Sequence, residues 1–275
     1  MRLSGLGLFV CIVVFSIGTV QADWCENNKD GTSGGGLDQP GWVAAWNGSS
    51  PNPATNWYTA AELAPVYGTD PGWTGNVVNI TDDDATAYAA INKLDDEFTD
   101  VRATVSVSTN DLDEEFGAII RADSFGHGDP ITAVSAYAAT FSANNALYIG
   151  DPMKFTLYKI VNGGIEYSEV KNPGVPADSD DLIVFIELTA IGNNITARLF
   201  DDADSTIPLS TIVWEDNTGT PLTSGHTGVI NLDYESADGI SSYYDTLCSV
   251  VIPEPATVVL LALGGLALLR KKYGV

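Results

Sequence analysis

The sequence predicts an all-β protein built as a sandwich of two antiparallel sheets. Three observations carry this. Short runs of alternating or apolar residues recur at intervals of roughly ten residues from Asn76 onward. Glycine- and asparagine-rich pairs stand between several of these runs as hairpin turns. The body has no stretch with the apolar period of a packed helix.

At 275 residues the chain can bury a sizeable core in one or two domains. Hydrophobic residues make up 45% and charged residues 17%, which argues against disorder over most of the length. Acidic residues outnumber basic ones 36 to 12, a formal net charge of −24. Four of the bases, Arg2, Arg270, Lys271 and Lys272, sit in the terminal segments, so the body is more acidic still. Nucleic acid is excluded as a partner, because phosphate binding needs the opposite sign.

The chain opens on Met1-Arg2, an apolar run from Leu6 to Ile17, and Val20-Gln21-Ala22 ahead of Asp23. One positive charge, a run too short to span a bilayer comfortably and small residues at its end describe a secretory signal peptide over 1–22, cleaved after Ala22. The body is expected to run from 23 to 250. Its first part, 23–75, is loop-rich, with Gly34-Gly35-Gly36, Asn47 to Pro53 and Asp70-Pro71-Gly72 as turn chemistry. It also holds five of the six tryptophans, Trp24, Trp42, Trp46, Trp57 and Trp73. The gap between two sheets takes most of these rings; Trp57 and Tyr58, beside Asn56, are the candidate ligand contacts.

The strands follow in order. Val101, Ala103, Val105 and Val107 alternate with Arg102, Thr104, Ser106 and Ser108, the pattern of a half-buried strand. Phe116 to Ala122 and Ile131 to Phe141 are more apolar. Phe155 to Ile160 and Ile165 to Val170 flank Asn162-Gly163-Gly164, a strong hairpin signal. Leu182, Val184, Ile186 and Leu188 alternate, and Gly192-Asn193-Asn194 turns the chain into Ile195, Ala197 and Leu199. Gly228 to Tyr234 and Tyr243 to Val250 complete the set.

Beyond them, residues 251–275 read as a stop-transfer tail. Ile252-Pro253-Glu254-Pro255-Ala256 leads into an apolar stretch from Thr257 to Leu269, closed by Arg270-Lys271-Lys272. The stretch is about the minimum for a transmembrane helix, and the basic cluster would keep its end on the cytoplasmic side. This arrangement resembles the PEP-CTERM sorting signal of Gram-negative bacteria. The resemblance implies recognition by an exosortase, with Pro253, Glu254 and Pro255 as the recognised residues. It also implies a producer that secretes exopolysaccharide and a body held transiently in the inner membrane before reaching the cell surface or extracellular matrix. Lys271 and Lys272 stand where arginines are usual, and Tyr273-Gly274-Val275 extends the pattern.

The strand order from about Phe98 to Val250 resembles the concanavalin A-like lectin/glucanase superfamily in its laminin-G-like branch. The likeness is carried by Gly117-Ala118-Ile119-Ile120-Arg121-Ala122, the Tyr137 strand, Phe155 to Ile160, Ile195-Thr196-Ala197, Thr227-Gly228-Val229 and Tyr244 to Leu247. It implies a jelly-roll sandwich whose relatives mostly bind carbohydrate or protein, while some hydrolyse glycans.

For hydrolysis, Asp111-Leu112-Asp113-Glu114-Glu115 invites comparison with paired-carboxylate glycosidases, which hold their two acids about 5 Å apart. In the laminarinase-type relatives the strand motif is Glu-x-Asp-x-x-Glu, and here Asp111 and Phe116 occupy the glutamate positions. The cluster is therefore expected to be a solvated hairpin loop. His127 and His226 lie in glycine-rich loops, lack zinc-ligand spacing and are expected to be exposed. Calcium is the one cofactor expectation, since jelly-roll binders often carry one ion. Asp201, Asp202 and Asp204 head the candidate loops, which include Asp82 to Asp84 and Asp178 to Asp181. Glu26-Asn27-Asn28-Lys29-Asp30-Gly31 begins like an EF-hand loop, but Leu37 stands where the closing glutamate should be.

Cys11 leaves with the signal peptide, so the exported body keeps Cys25 and Cys248, an even number in an oxidising compartment. In a jelly roll of this type the first and last strands commonly lie side by side, which implies a Cys25–Cys248 disulfide; the alternative is a free thiol at each. The functional expectation is a non-catalytic, exosortase-sorted surface or matrix protein associated with extracellular polysaccharide. The alternative is a carbohydrate-binding or glycan-hydrolysing module of the same fold.

Overall fold

The computed structural model describes residues 24–26, 42–47, 54–59, 76–81, 88–93, 97–109, 115–123, 129–130, 134–142, 153–173, 183–201, 205–232 and 242–252. The described strands are β1 (Trp24–Glu26), β2 (Trp42–Asn47), β3 (Ala54–Thr59), β4 (Asn76–Thr81), β5 (Tyr88–Lys93), β6 (Val101–Thr109), β7 (Glu115–Ala122) and β8 (Asp129–Pro130). They continue with β9 (Ala136–Ser142), β10 (Lys154–Val161), β11 (Gly164–Lys171), β12 (Ile183–Ile191), β13 (Asn194–Phe200), β14 (Ser210–Glu215), β15 (His226–Leu232) and β16 (Ser242–Val251).

The strands form two sheets. The first runs β14-β13-β12-β6-β16-β4-β3, with β1 also paired to β16; the second runs β11-β10-β9-β7-β15-β5-β2-β8. Every pairing is antiparallel except the short contact of β2 with β8. The expected all-β, two-sheet antiparallel architecture is the one observed. The expected signal peptide, 1–22, and the expected tail beyond Ile252 lie outside the described residues, among which no helix is long and apolar enough to cross a membrane.

Alternation explains the first sheet. Val101, Ala103, Val105 and Val107 of β6 are all fully buried, and so are Val184, Ile186, Leu188 and Ala190 of β12. Their register partners lie on the same inner face, since directly opposed residues share a face. Each fully buried Val, Ile, Leu or Phe contributes about 1.5–3 kcal/mol of transfer free energy. The β10–β11 hairpin turns through Asn162 at φ 49° and Gly163 at φ 71°, the pair of left-handed residues that a type I′ turn demands.

The central strands of the second sheet are buried on both faces, while its edge strand β11 is largely exposed. β7, β9 and β15 are buried at every position. Phe116, Ala118, Tyr137, Phe155 and Val229 join the core between the sheets, while Ile119, Ala138, Tyr158, Ile230 and Leu232 form a second apolar cluster on the far face. That is why these strands read as continuous apolar runs.

The loop-rich part, 23–75, departs from expectation by contributing three strands, β1 and β3 to the first sheet and β2 to the second. Trp42-Val43-Ala44-Ala45-Trp46 is apolar throughout, so alternation could not mark it. β14, also unexpected, is a short edge strand next to β13. The sheets are further joined by a 2.7 Å hydrogen bond between the buried hydroxyls of Thr227 on β15 and Ser249 on β16. The Ile252 amide donates to Asp100 O at 3.0 Å, fixing the end of the described body.

Candidate functional site

Two outer faces exist, and they differ. On the far face of the second sheet, Glu115 opens β7 and is 8% exposed. Thr140 Oγ1 and Tyr158 OH both donate to its Oε2, at 2.7 and 2.8 Å. Burial pushes the Glu115 carboxyl above the ordinary glutamate value, against the two hydroxyl donors and the charge of Lys154. Its neighbours on that face are apolar and covered, so the cluster is closed to a large ligand. Glu115 therefore corrects the expectation of a solvated loop: the strand begins one residue before Phe116 and carries the carboxyl inside. Asp111, Asp113 and Glu114 lie outside the described residues.

The outer face of the first sheet is open and is organised in register rows across β12 and β13. Phe185 opposes Phe200, Glu187 opposes Arg198 and Thr189 opposes Thr196. All six positions are partly or fully exposed. Arg198 Nη1 donates to Glu187 Oε1 at 2.7 Å, and Arg102 Nη1 stands 3.8 Å from Glu187 Oε2. One carboxylate thus holds two half-exposed guanidiniums side by side. Pairs of this exposure add little stability, which leaves their donors able to exchange partners. An aromatic pair, a glutamate held between two arginines and a threonine pair on one face offer stacking surface, charged donors and hydroxyls within a few residue spacings.

Two further clusters are structural. Arg121 is the extra residue of a bulge where β7 shifts register against β15, with φ 50°. A left-handed non-glycine residue is strained, and here it turns the side chain out of the pleat toward three loops. Nε donates to Thr99 O at 2.6 Å, and Nη1 donates to Gly192 O at 2.7 Å and Leu222 O at 2.8 Å. Nη2 stands 3.3 Å from Asp100 Oδ1. Burial lowers the guanidinium pKa, opposed by Tyr137 and Asp100. The second cluster centres on Lys159 of β10, whose Nζ donates to Thr218 O and Thr220 O at 3.0 and 3.1 Å and pairs with Asp216 and Glu166, each at 3.2 Å. Gly219, at φ 49°, lets the segment fold over the ammonium so that both carbonyls face it. Tyr137 OH donates to Asp216 Oδ2 at 2.5 Å and accepts from Leu222 N at 3.0 Å. Burial alone would raise the Asp216 pKa, but the donors from Tyr137, Thr218 and Lys159 outweigh it and hold the carboxylate low. Burial, then the Asp216 bond, raises the Tyr137 hydroxyl. Trp214 stacks on Tyr167 at 3.9 Å beside this cluster, and burial with the Glu169 hydrogen bond pushes Tyr167 up to about 12.

Sequence reasoning missed Lys159, Asp216 and Glu115 as buried groups, and it missed the Phe185–Phe200 and Glu187–Arg198 pairs. Trp57 and Tyr58 occupy β3 opposite Val78 and Val77 at the edge of the first sheet; as consecutive strand positions they fall on opposite faces, and their side chains lie outside the description. His226 is the first residue of β15 and is 8% exposed, not an exposed loop residue as expected, because β15 begins two residues earlier than the Gly228 read from sequence. His127 lies outside the described residues. Asp201 is exposed at the end of β13, while Asp202 and Asp204, like the other candidate calcium loops at 82–84 and 178–181, lie outside them. Among the described residues no group of three or more His, Cys, Asp or Glu is gathered for a metal ion. Ala22, Pro253, Glu254 and Pro255 lie outside the described residues too.

No family model and no curated sequence matches the chain. Among solved structures it is similar in shape to a carbohydrate-binding module, CBM66 from Bacillus subtilis, at 14% identity and TM-score 0.45, over 76% of this chain and 95% of that one. It is also similar to the exoplasmic/lumenal domain of VIP36 in a Ca2+/Man3GlcNAc-bound form, at 10% identity and TM-score 0.45, over 78% and 87%. The lectin UEA-II complexed with galactose matches at 8% identity and TM-score 0.48, over 83% and 97%. Values this low carry no functional argument, and the two-sheet architecture rests on the strand pairing itself.

Proposed function

We propose that the protein is an exported, non-catalytic β-sandwich that binds extracellular polysaccharide through the outer face of its first sheet. The observation that carries this reading is the contrast between the two outer faces. The second sheet's far side is closed over Glu115, whereas the first carries Phe185, Phe200, Arg102, Glu187 and Arg198 partly or fully exposed on one face. Sugar rings stack their C–H faces on aromatics, and their hydroxyls accept from guanidinium and donate to carboxylate. An extended open face suits a repeating polymer better than a pocket does.

Export rests on the sequence at the two ends of the chain, and the described strands lie between the two proposed processing points. β1 begins at Trp24, just past the proposed cleavage after Ala22, and β16 ends at Val251, just before Pro253. Processing at both ends would leave the sheets whole. Proline at 253 and 255 cannot donate to a continuing ladder, which suits a break between body and tail. The tail carries the exosortase signal Pro253-Glu254-Pro255 and the membrane-spanning segment. A calcium ion in an oxygen-rich loop remains part of the proposal, its ligands drawn from Asp201, Asp202 and Asp204. The test is retention of the protein in polysaccharide-containing native gels: Phe185→Ala and Arg198→Ala should each abolish retention while thermal unfolding stays cooperative. Unchanged retention in both would remove the proposed face.

A further inference from the structure

β1 and β16 run antiparallel with Trp24 opposite Ser249, Cys25 opposite Cys248 and Glu26 opposite Leu247. Directly opposed residues of such a pair have Cα atoms about 4.5–5.5 Å apart, inside the span of about 4.4–6.8 Å that disulfides bridge. Two of the chain's three cysteines therefore share one register position. A slip of one residue would separate them and move every β1 residue to the other face.

The face they share follows from β6. Cys248 opposes Thr104, which stands between Ala103 and Val105, both fully buried against the core. Cys248 thus takes a position on the outer face, in line with Thr104, and on the side where Arg102 is 44% exposed. Ser249, opposite Ala103, takes the inner face and is fully buried. Cys25, in register with Cys248, takes a position on the same face.

We propose that Cys25 and Cys248 form a disulfide that staples the first strand of the body to its last. The inference rests on the export reading for its oxidising compartment, and on the register alone for its geometry. Each thiol gives up a proton, and two electrons pass to a disulfide-bearing oxidant, a thiol oxidoreductase or oxidised glutathione. The oxidant is reduced to two thiols as the new S–S bond forms. The staple closes both ends of the body at one place, beside the point where the chain leaves toward Pro253. A three-residue strand at a new N-terminus would otherwise fray and expose the chain to proteolysis.

The test uses the full chain carrying Cys11→Ser, folded and equilibrated with a glutathione redox buffer, then denatured without reductant for thiol titration and peptide mapping. The inference expects no free thiol and a linked peptide pair containing Cys25 and Cys248. Two free thiols per folded chain overturn it. The same titration on protein recovered from the producing cells separates the two readings: reduced cysteines there, with a bridge formed in glutathione, uphold the staple and overturn export.

Discussion

Lys159 Nζ lies 3.2 Å from Asp216 Oδ2, and both side chains are completely buried. The ammonium also holds Thr218 O and Thr220 O, so the pair fixes the segment between β14 and β15 against β10. Breaking such a pair from one side leaves a buried charge without its partner. Lys159→Met is expected to lower unfolding stability by about 3–5 kcal/mol. Lys159→Met with Asp216→Leu should recover part of that loss, and only part, because Asp216 also accepts from Tyr137 and Thr218. Urea unfolding of the two variants and the wild type measures both numbers; a Lys159→Met variant as stable as wild type would mean that the lock bears nothing.

Arg121 is expected to resist even its conservative replacement. Lysine keeps the charge but lacks the planar fork that reaches Thr99, Gly192 and Leu222 together. Arg121→Lys should cost about 2 kcal/mol or more, since bonds from a charged donor are each worth about 1.5–3 kcal/mol. Thermal unfolding of this variant checks the figure, and a loss within experimental error would show that the carbonyls find water instead.

Two buried carboxyls give the stability opposite slopes with pH. Glu115 is pushed above its ordinary value of 4.5, so the folded state binds its proton more tightly than the unfolded chain. Its contribution is full below that value and is lost as pH rises through the raised one. Asp216 is held below its ordinary 3.8, so its contribution is present above that value and is lost as pH falls through the lowered one. Glu115→Gln keeps acceptors for Thr140 and Tyr158 and removes the first slope. Stability measured between weakly acidic and neutral pH should then fall less steeply than in wild type; an identical slope would place the proton elsewhere.

Substituting Glu254 should strand the full-length chain in the inner membrane. The expectation rests on Pro253-Glu254-Pro255 ahead of a short apolar segment with a basic end, which alone would only anchor. Fractionation of a Glu254→Ala strain reads this directly. Undiminished release of the body would leave a plain anchor in place of a sorting signal.

Much of the fold was legible because its strands carry local signals. Val101, Ala103, Val105 and Val107 alternate in sequence and are all buried, and Asn162-Gly163 supplies the turn its residues demand. Trp42 to Asn47 and Ser210 to Glu215 escaped because neither alternates: the first is apolar nearly throughout, and the second carries Ile212, Val213 and Trp214 in a row. Glu115 escaped because the acids before it read as one solvated run, although Glu115, Gly117 and Ile119 alternate with the core-facing Phe116, Ala118 and Ile120. The Lys159–Asp216 lock and the Arg121 bonds join residues dozens of positions apart, and no local pattern announces such partners. The Phe185–Phe200 and Glu187–Arg198 rows become visible only once the register of β12 with β13 is known.

The open face of the first sheet is proposed to bind polysaccharide without cleaving it. Co-sedimentation of the purified protein with the producer's own exopolysaccharide, followed by assay of reducing ends, tests both halves at once. Wild type is expected to sediment with the polymer, Phe185→Ala and Arg198→Ala to remain in the supernatant, and no reducing ends to appear. Release of reducing ends, or equal sedimentation of all three proteins, would contradict the proposal.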